Sequence, residues 1–312
     1  LNAPANPSRP AAAAGAEAPP PKAPGLPSWE WLVFAALLVP LYWPTLEWMV
    51  GRWNEDESYH SHGFLIPLVS AFLAWSARAE AAGGSAAPAP GRKAGFWIAF
   101  SAVILHLLAG VEDVNSISGF TLIPLVFGFT VMMLGWRGSR PFWFAIAYLW
   151  FMVPLPDFVI SGLNFRLKLV AADLATSLLN LAGLPAIREG SYMLFGEEKL
   201  AVGDVCSGLR SLLSLVALGV LYAWLVRARG WLHVLAVTAA IMPAAVLGNG
   251  LRIFVVSGLV YFLGTEPVFK PLFGDVDVHL LTGGIIFAGA FLTLFAVSSA
   301  MDLLAGRKGK KP

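Results

Sequence analysis

Cysteine is nearly absent from this 312-residue chain: there is one, Cys206. A single thiol excludes an internal disulfide and any metal site built from several cysteines. Charge is scarce as well. Asp, Glu, Lys and Arg make up 13% of the residues, and 21 basic against 19 acidic side chains leave a net charge of +2. The basic residues sit between apolar runs and not in one patch, so no nucleic-acid surface is indicated. Polar material dense enough for a soluble surface is missing too. What the chain has instead is apolar bulk: 57% hydrophobic residues, with 12 Trp and 21 Phe. Several runs approach the roughly 20 helical residues that cross a hydrocarbon core. The expected class is an all-α polytopic membrane protein.

In chain order, residues 1–28 are mostly Ala and Pro and read as a disordered tail without a signal-peptide pattern. The membrane domain is expected over 29–304, followed by a basic cytoplasmic tail at 305–312. Spans are expected at about 29–48, 64–77, 96–110, 120–134, 142–155, 209–226, from 231 to a weak point at Gly248-Asn-Gly250, and 280–304. That makes eight, with both ends inside. Residues 251–263 read as a separate short helix, re-entrant or at the outer interface. Residues 158–182 have helical periodicity, with Arg166, Asp173, Ser177 and Asn180 on a polar stripe. The apolar residues Leu163, Leu167, Val170, Leu174, Leu178 and Leu181 lie elsewhere on that helix, so it is expected to lie at the interface, although its length also allows a crossing. Residues 190–195 and 199–202 read as two strands of a small hairpin around Gly196-Glu-Glu198.

Basic residues fall in alternate loops: Arg78/Arg92/Lys93, Arg137/Arg140, Arg227/Arg229 and the terminal cluster. The positive-inside rule makes those loops cytoplasmic. Cys206, Arg252 and His279, far apart in sequence, then share the outer face. Cys206 lies in Gly203-Asp-Val-Cys-Ser-Gly-Leu-Arg210, where Ser207 and Gly208 suit a helix start. The free N–H groups and positive dipole end there favour thiolate, and Arg210, four residues on, adds positive charge. Each residue also has a structural reading. Cys206 suits a tight turn, Arg252 a snorkelling or capping role, and His279 the head of an interfacial helix. Together they form the parts of cysteine acyl transfer: nucleophile, proton carrier and a fixed cation for an oxyanion. An arginine within an apolar run is itself a functional candidate.

Val205-Cys-Ser-Gly-Leu-Arg210, Asn249-Gly-Leu-Arg252-Ile253, His279 and the earlier Ser61-His-Gly-Phe-Leu-Ile-Pro67 resemble the exosortase/archaeosortase family over roughly residues 30–304. The resemblance implies a membrane cysteine protease or transpeptidase of the bacterial or archaeal cytoplasmic membrane, with its site facing outward. Its partners would be exported proteins with a C-terminal sorting signal: a short motif such as Pro-Glu-Pro, a hydrophobic helix and a basic tail. The new C-terminus would pass to an acceptor that the sequence does not identify. Carried over by position, Cys206 would be the nucleophile, Arg252 the oxyanion stabiliser and His279 the acid/base. Arg210, Asn249, Ser207 and His62 would bind substrate or support the site.

No cofactor is implied, and no metal. His60-x-His62 lacks a third ligand at defined spacing. His106 and His233, in or beside apolar spans, read as structural. The rival reading is a non-enzymatic transport or export component, which explains the spans but needs no thiol beside arginine and histidine. Corresponding broken helices in two halves, common in transporters with inverted repeats, are not evident.

Overall fold

The computed structural model describes residues 29–55, 58–82, 91–190, 192–195, 198–201, 208–273 and 276–304. The expected tails at 1–28 and 305–312 lie outside them. The helices are α1 (Trp29–Asn54), α2 (Leu65–Ala82), α3 (Arg92–Val111), α4 (Asn115–Ser139), α5 (Trp143–Tyr148), α6 (Asp157–Leu181), α7 (Gly208–Leu225), α8 (Trp231–Leu263), α9 (Thr265–Phe269) and α10 (Val278–Leu304). A 3₁₀ turn at Ser61–Phe64 leads into α2. Strands β1 (Ile187–Glu189), β2 (Tyr192–Phe195) and β3 (Glu198–Ala201) form an antiparallel sheet in that order, and β4 (Pro271–Phe273) pairs with β5 (Val276–Asp277). The two expected hairpin strands are there as β2 and β3, joined by β1 and by a second small hairpin that the residue pattern did not signal.

The molecule is an all-α polytopic membrane protein. Among the described residues, five stretches are long and apolar enough to cross a bilayer: Leu32–Asn54, Arg92–Val111, Asn115–Met152, Trp231–Leu263 and Leu281–Leu304. The fourth and fifth expected spans share Asn115–Met152, where the chain leaves helical geometry at Gly135 (φ 68°, ψ 177°). The sixth is the shorter apolar helix Leu209–Leu225. Helices α2 and α6 are not in the set of five.

In lipid, apolar side chains gain little by facing one another, so close backbone approach holds helices together. Helices α3 and α4 show this. A Cβ on Gly95 would lie 2.5 Å from the Met132 nitrogen, and one on Gly128 would lie 2.6 Å from the Ala99 nitrogen. Large side chains such as Phe72, Trp75 and Leu292 stay exposed toward the lipid. Two histidines tie helices together, as expected. His106 bonds the Leu41 carbonyl (3.1 Å) and Ser118 Oγ (2.8 Å). His233 bonds Ser298 Oγ (2.8 Å).

One expectation is corrected. Residues 251–263 are not a separate helix: α8 runs unbroken from Trp231 to Leu263 through Gly248-Asn-Gly250. Those glycines are contact points and not breaks. A Cβ on Gly248 would meet the Ala290 Cβ at 3.1 Å, and one on Gly250 would run into the Leu174 side chain. Thirty-three residues at about 1.5 Å each exceed a hydrocarbon core of about 30 Å by roughly two-fifths of the helix. The far part of α8 is packed accordingly: Ile253, Val256 and Val260 join Ala171, Ala175 and Leu179 of α6, Met193 and Leu200 of the sheet, and Val268 of α9 in one buried cluster. The buried stripe of α6 is thus alanine-rich, while Val170 and Leu181 are exposed.

Candidate active site

Helices α7, α8 and α10 pack on one another. Helices α7 and α10 start at one end, and α8 returns from the other. The return end is fixed by Arg229, which donates to Asp302 Oδ2 (2.7 Å) and Ser298 Oγ (2.9 Å) near the end of α10. Arg140 and Arg227 line one cleft at that same end, and Arg92 donates to the Met132 carbonyl at 3.0 Å. The loops expected to be basic and cytoplasmic therefore gather on one side.

The opposite end holds Arg252, Asn249 and the start of α10. Arg252 lies on the face of α8 that carries Ala245, Gly248 and Asn249. With Ser211 and Leu215 of α7 and Gly283, Ile286, Phe287 and Ala290 of α10, these residues line a narrow cleft of about 20 Å³. That is room for one water-sized group. The Arg252 guanidinium lies against the α10 backbone at Gly283: a Cβ there would be 2.8 Å from Cζ and from Nη2, and 3.1 Å from Nε. Only glycine leaves that space. His279 is the second residue of α10, one turn before Gly283. Asn249 Oδ1 is buried in the cleft without a hydrogen-bond partner among the described residues.

Helix α7 is described from Gly208 onward. Cys206 and Ser207 lie outside the described residues. Arg210 stands half-buried in the first turn of α7. His62 does not line the cleft. Its Nδ1 is 3.3 Å from Ser214 Oγ on α7, and it also bonds the Phe151 backbone. Burial, opposed by that backbone bond, holds its pKa below the ordinary histidine range. His60 accepts from the Leu155 N–H (3.2 Å), and burial first, then the positive charge of nearby groups, pushes its pKa down to about 4. Both rings tie the loop before α2 to the rest of the fold, His60 as a neutral acceptor at pH 7. Among the described residues no three His, Cys, Asp or Glu side chains gather as a metal site.

Two site features were not legible in the sequence. Ser211 carries no motif beyond its closeness to Arg210. Gly283 is half of a Gly-Gly pair inside an apolar helix, and that pair was the available signal.

A match to the family model described as transmembrane exosortase (Exosortase_EpsH) runs over residues 53–296. The chain belongs to the transmembrane exosortase family. It is accordingly a sorting-related, multi-pass membrane protein. The matched range takes in the His60–Phe64 loop, the start of α7, the whole of α8 and most of α10. The family assignment and the three-helix cleft therefore refer to the same part of the chain. No curated protein and no solved structure matches it.

Proposed function

We propose that this exosortase is a cysteine protease or transpeptidase that cleaves C-terminal sorting signals of exported proteins, at the outer face of a bacterial cytoplasmic membrane. Cys206 is the nucleophile, Arg252 the oxyanion stabiliser and His279 the general acid/base. The observation that carries the reading is the seat of Arg252 on Gly283, one turn from His279, at the end where α7 begins. Cys206 is two peptide links ahead of Gly208, so its Cα is within about 7 Å of the Gly208 Cα. Residues four apart share a helix face, which aligns position 279 with the guanidinium at position 283.

The reaction follows from those roles. The Cys206 thiolate attacks the scissile carbonyl and the C–S bond forms. Negative charge on the carbonyl oxygen is met by the guanidinium, whose planar fork supplies several donors. The C–N bond breaks as the departing amine takes a proton from His279, and the signal peptide leaves. An acceptor amine or water, deprotonated by His279, then attacks the thioester and releases Cys206. The buried Asn249 Oδ1 is an acceptor suited to a substrate backbone N–H. Arg210, in the first turn of α7, supports the thiolate. Ser207 and His62 remain supporting residues in this scheme, His62 by holding α7 at Ser214. The test is co-expression with a protein that ends in a short motif, an apolar helix and a basic tail. Loss of that tail should depend on this chain, and full-length accumulation of such proteins with the chain present would count against it.

The glycine seat gives a matched pair of variants. Gly283→Ala would force the guanidinium to move by about an ångström, and misplacement on that scale can cost on the order of a hundredfold in rate. Gly284→Ala adds the same methyl where nothing lies within 4 Å. Both changes favour the helix by about 1 kcal/mol, so helix propensity cannot explain a loss. Processing should fall steeply in Gly283→Ala and stay near normal in Gly284→Ala. Equal activity of the two would remove the seat from the account.

A further inference from the structure

A second cleft, of about 560 Å³, opens at the basic end between α2, the α4–α5 turn and the end of α7. Its rim carries Arg140 and Arg227, both exposed, and neither forms an ion pair among the described residues. Arg227 is held in place: its guanidinium lies 3.8 Å from the Trp224 ring centroid and donates to the Trp224 carbonyl at 3.0 Å. That bond uses one of five N–H donors and leaves others for a ligand. Trp224 is itself braced, stacked on Phe144 at 4.1 Å and edge-on to Trp143 at 5.1 Å. Apart from Ser76, the remaining wall is apolar, and it faces outward through Phe72 and Leu225.

Three properties coincide here. Two guanidiniums without carboxylate partners call for an anion and repel a basic segment. Tryptophans at the end of apolar helices mark the headgroup level of a bilayer. The apolar wall continues toward the lipid, where a free phosphate would find nothing to contact. We propose that this cleft binds an anionic phospholipid, with its phosphate between Arg140 and Arg227 and an acyl chain along Phe72 and Leu225. Basic pockets between helices on the cytoplasmic side are the setting in which such headgroups are held. The volume suits one headgroup and the start of its chains. The proposal rests on the fold alone and is independent of the reaction proposed for Cys206.

The test uses the full chain, purified in detergent with equal phosphatidylglycerol and phosphatidylcholine, and counts retained lipids by native mass spectrometry. Each cation near the surface contributes roughly a fivefold preference, so the pair should favour the anionic lipid by about thirtyfold. Arg140→Gln with Arg227→Gln should bring the preference close to one, each single variant should lose about fivefold, and the double lysine variant should keep most of it. An unchanged preference in the glutamine variants would overturn the proposal. So would displacement of the lipid by millimolar glycerol phosphate, because a headgroup alone would then suffice and the site would belong to a soluble phosphate.

Discussion

Cys206→Ala is expected to abolish processing of a signal-bearing protein, with no change in membrane insertion or thermal stability. In the proposed reaction every turnover passes through a thioester, so removing the sulfur leaves no slower route through the same intermediate. In the proposed reaction the position, two residues ahead of Gly208, is where free N–H groups and a helix dipole would favour an anion. Cys206→Ser should be nearly as inactive. A serine hydroxyl has no comparable anionic fraction near neutral pH, and the proposed scheme relies on a nucleophile that is already ionised, with His279 protonating the leaving amine. Western blots of the co-expressed substrate give the readout. Wild-type processing by the alanine variant would leave the non-enzymatic export component as the better account.

Arg252→Lys separates charge from hydrogen-bond geometry. Lysine keeps the positive charge but loses the planar fork. It also loses the planar guanidinium that occupies the space a side chain at Gly283 would take. Loss of one oxyanion donor costs on the order of a hundredfold to a thousandfold in rate, and a loss of that size is expected here. Binding should suffer much less, because the substrate's apolar helix supplies most of it, so the inactive variant should still co-purify with uncleaved substrate. Near-normal cleavage by the lysine variant would make Arg252 a cap or snorkelling anchor. Loss of co-purification along with cleavage would make it a reader of an acidic residue in the sorting motif. Measuring both on one preparation distinguishes the three roles.

The sequence announced the class and most helices, because apolar runs of membrane length would be costly to keep in water. It also announced the strands β2 and β3, where turn residues bracket short alternating segments. It was misleading about α8. Glycines at 248 and 250 weaken a helix in isolation, and their contacts with Ala290 and Leu174 come from distant parts of the chain. The packing face of α6 was not legible from hydrophobicity, for a related reason. In a protein bathed in lipid, bulky Val170 and Leu181 can face outward, while Ala171, Ala172 and Ala175 allow close approach to α8. Strands of two or three residues such as β5 and β1 carry too few side chains for a period to show. Of the residues that line the cleft, Arg252 and Asn249 were singled out by motif and topology. Gly283 was not, because its role exists only once α8 lies against α10.

The most direct measurement of the central claim is the mass of the Cys206 peptide isolated from wild-type protein quenched in acid during turnover. The account predicts an adduct equal to the substrate shortened at its sorting motif, attached to Cys206, released by hydroxylamine as expected for a thioester, and missing from Cys206→Ala. Accumulation of shortened substrate with Cys206 always recovered as a free thiol, and cleavage continuing in the alanine variant, would contradict it.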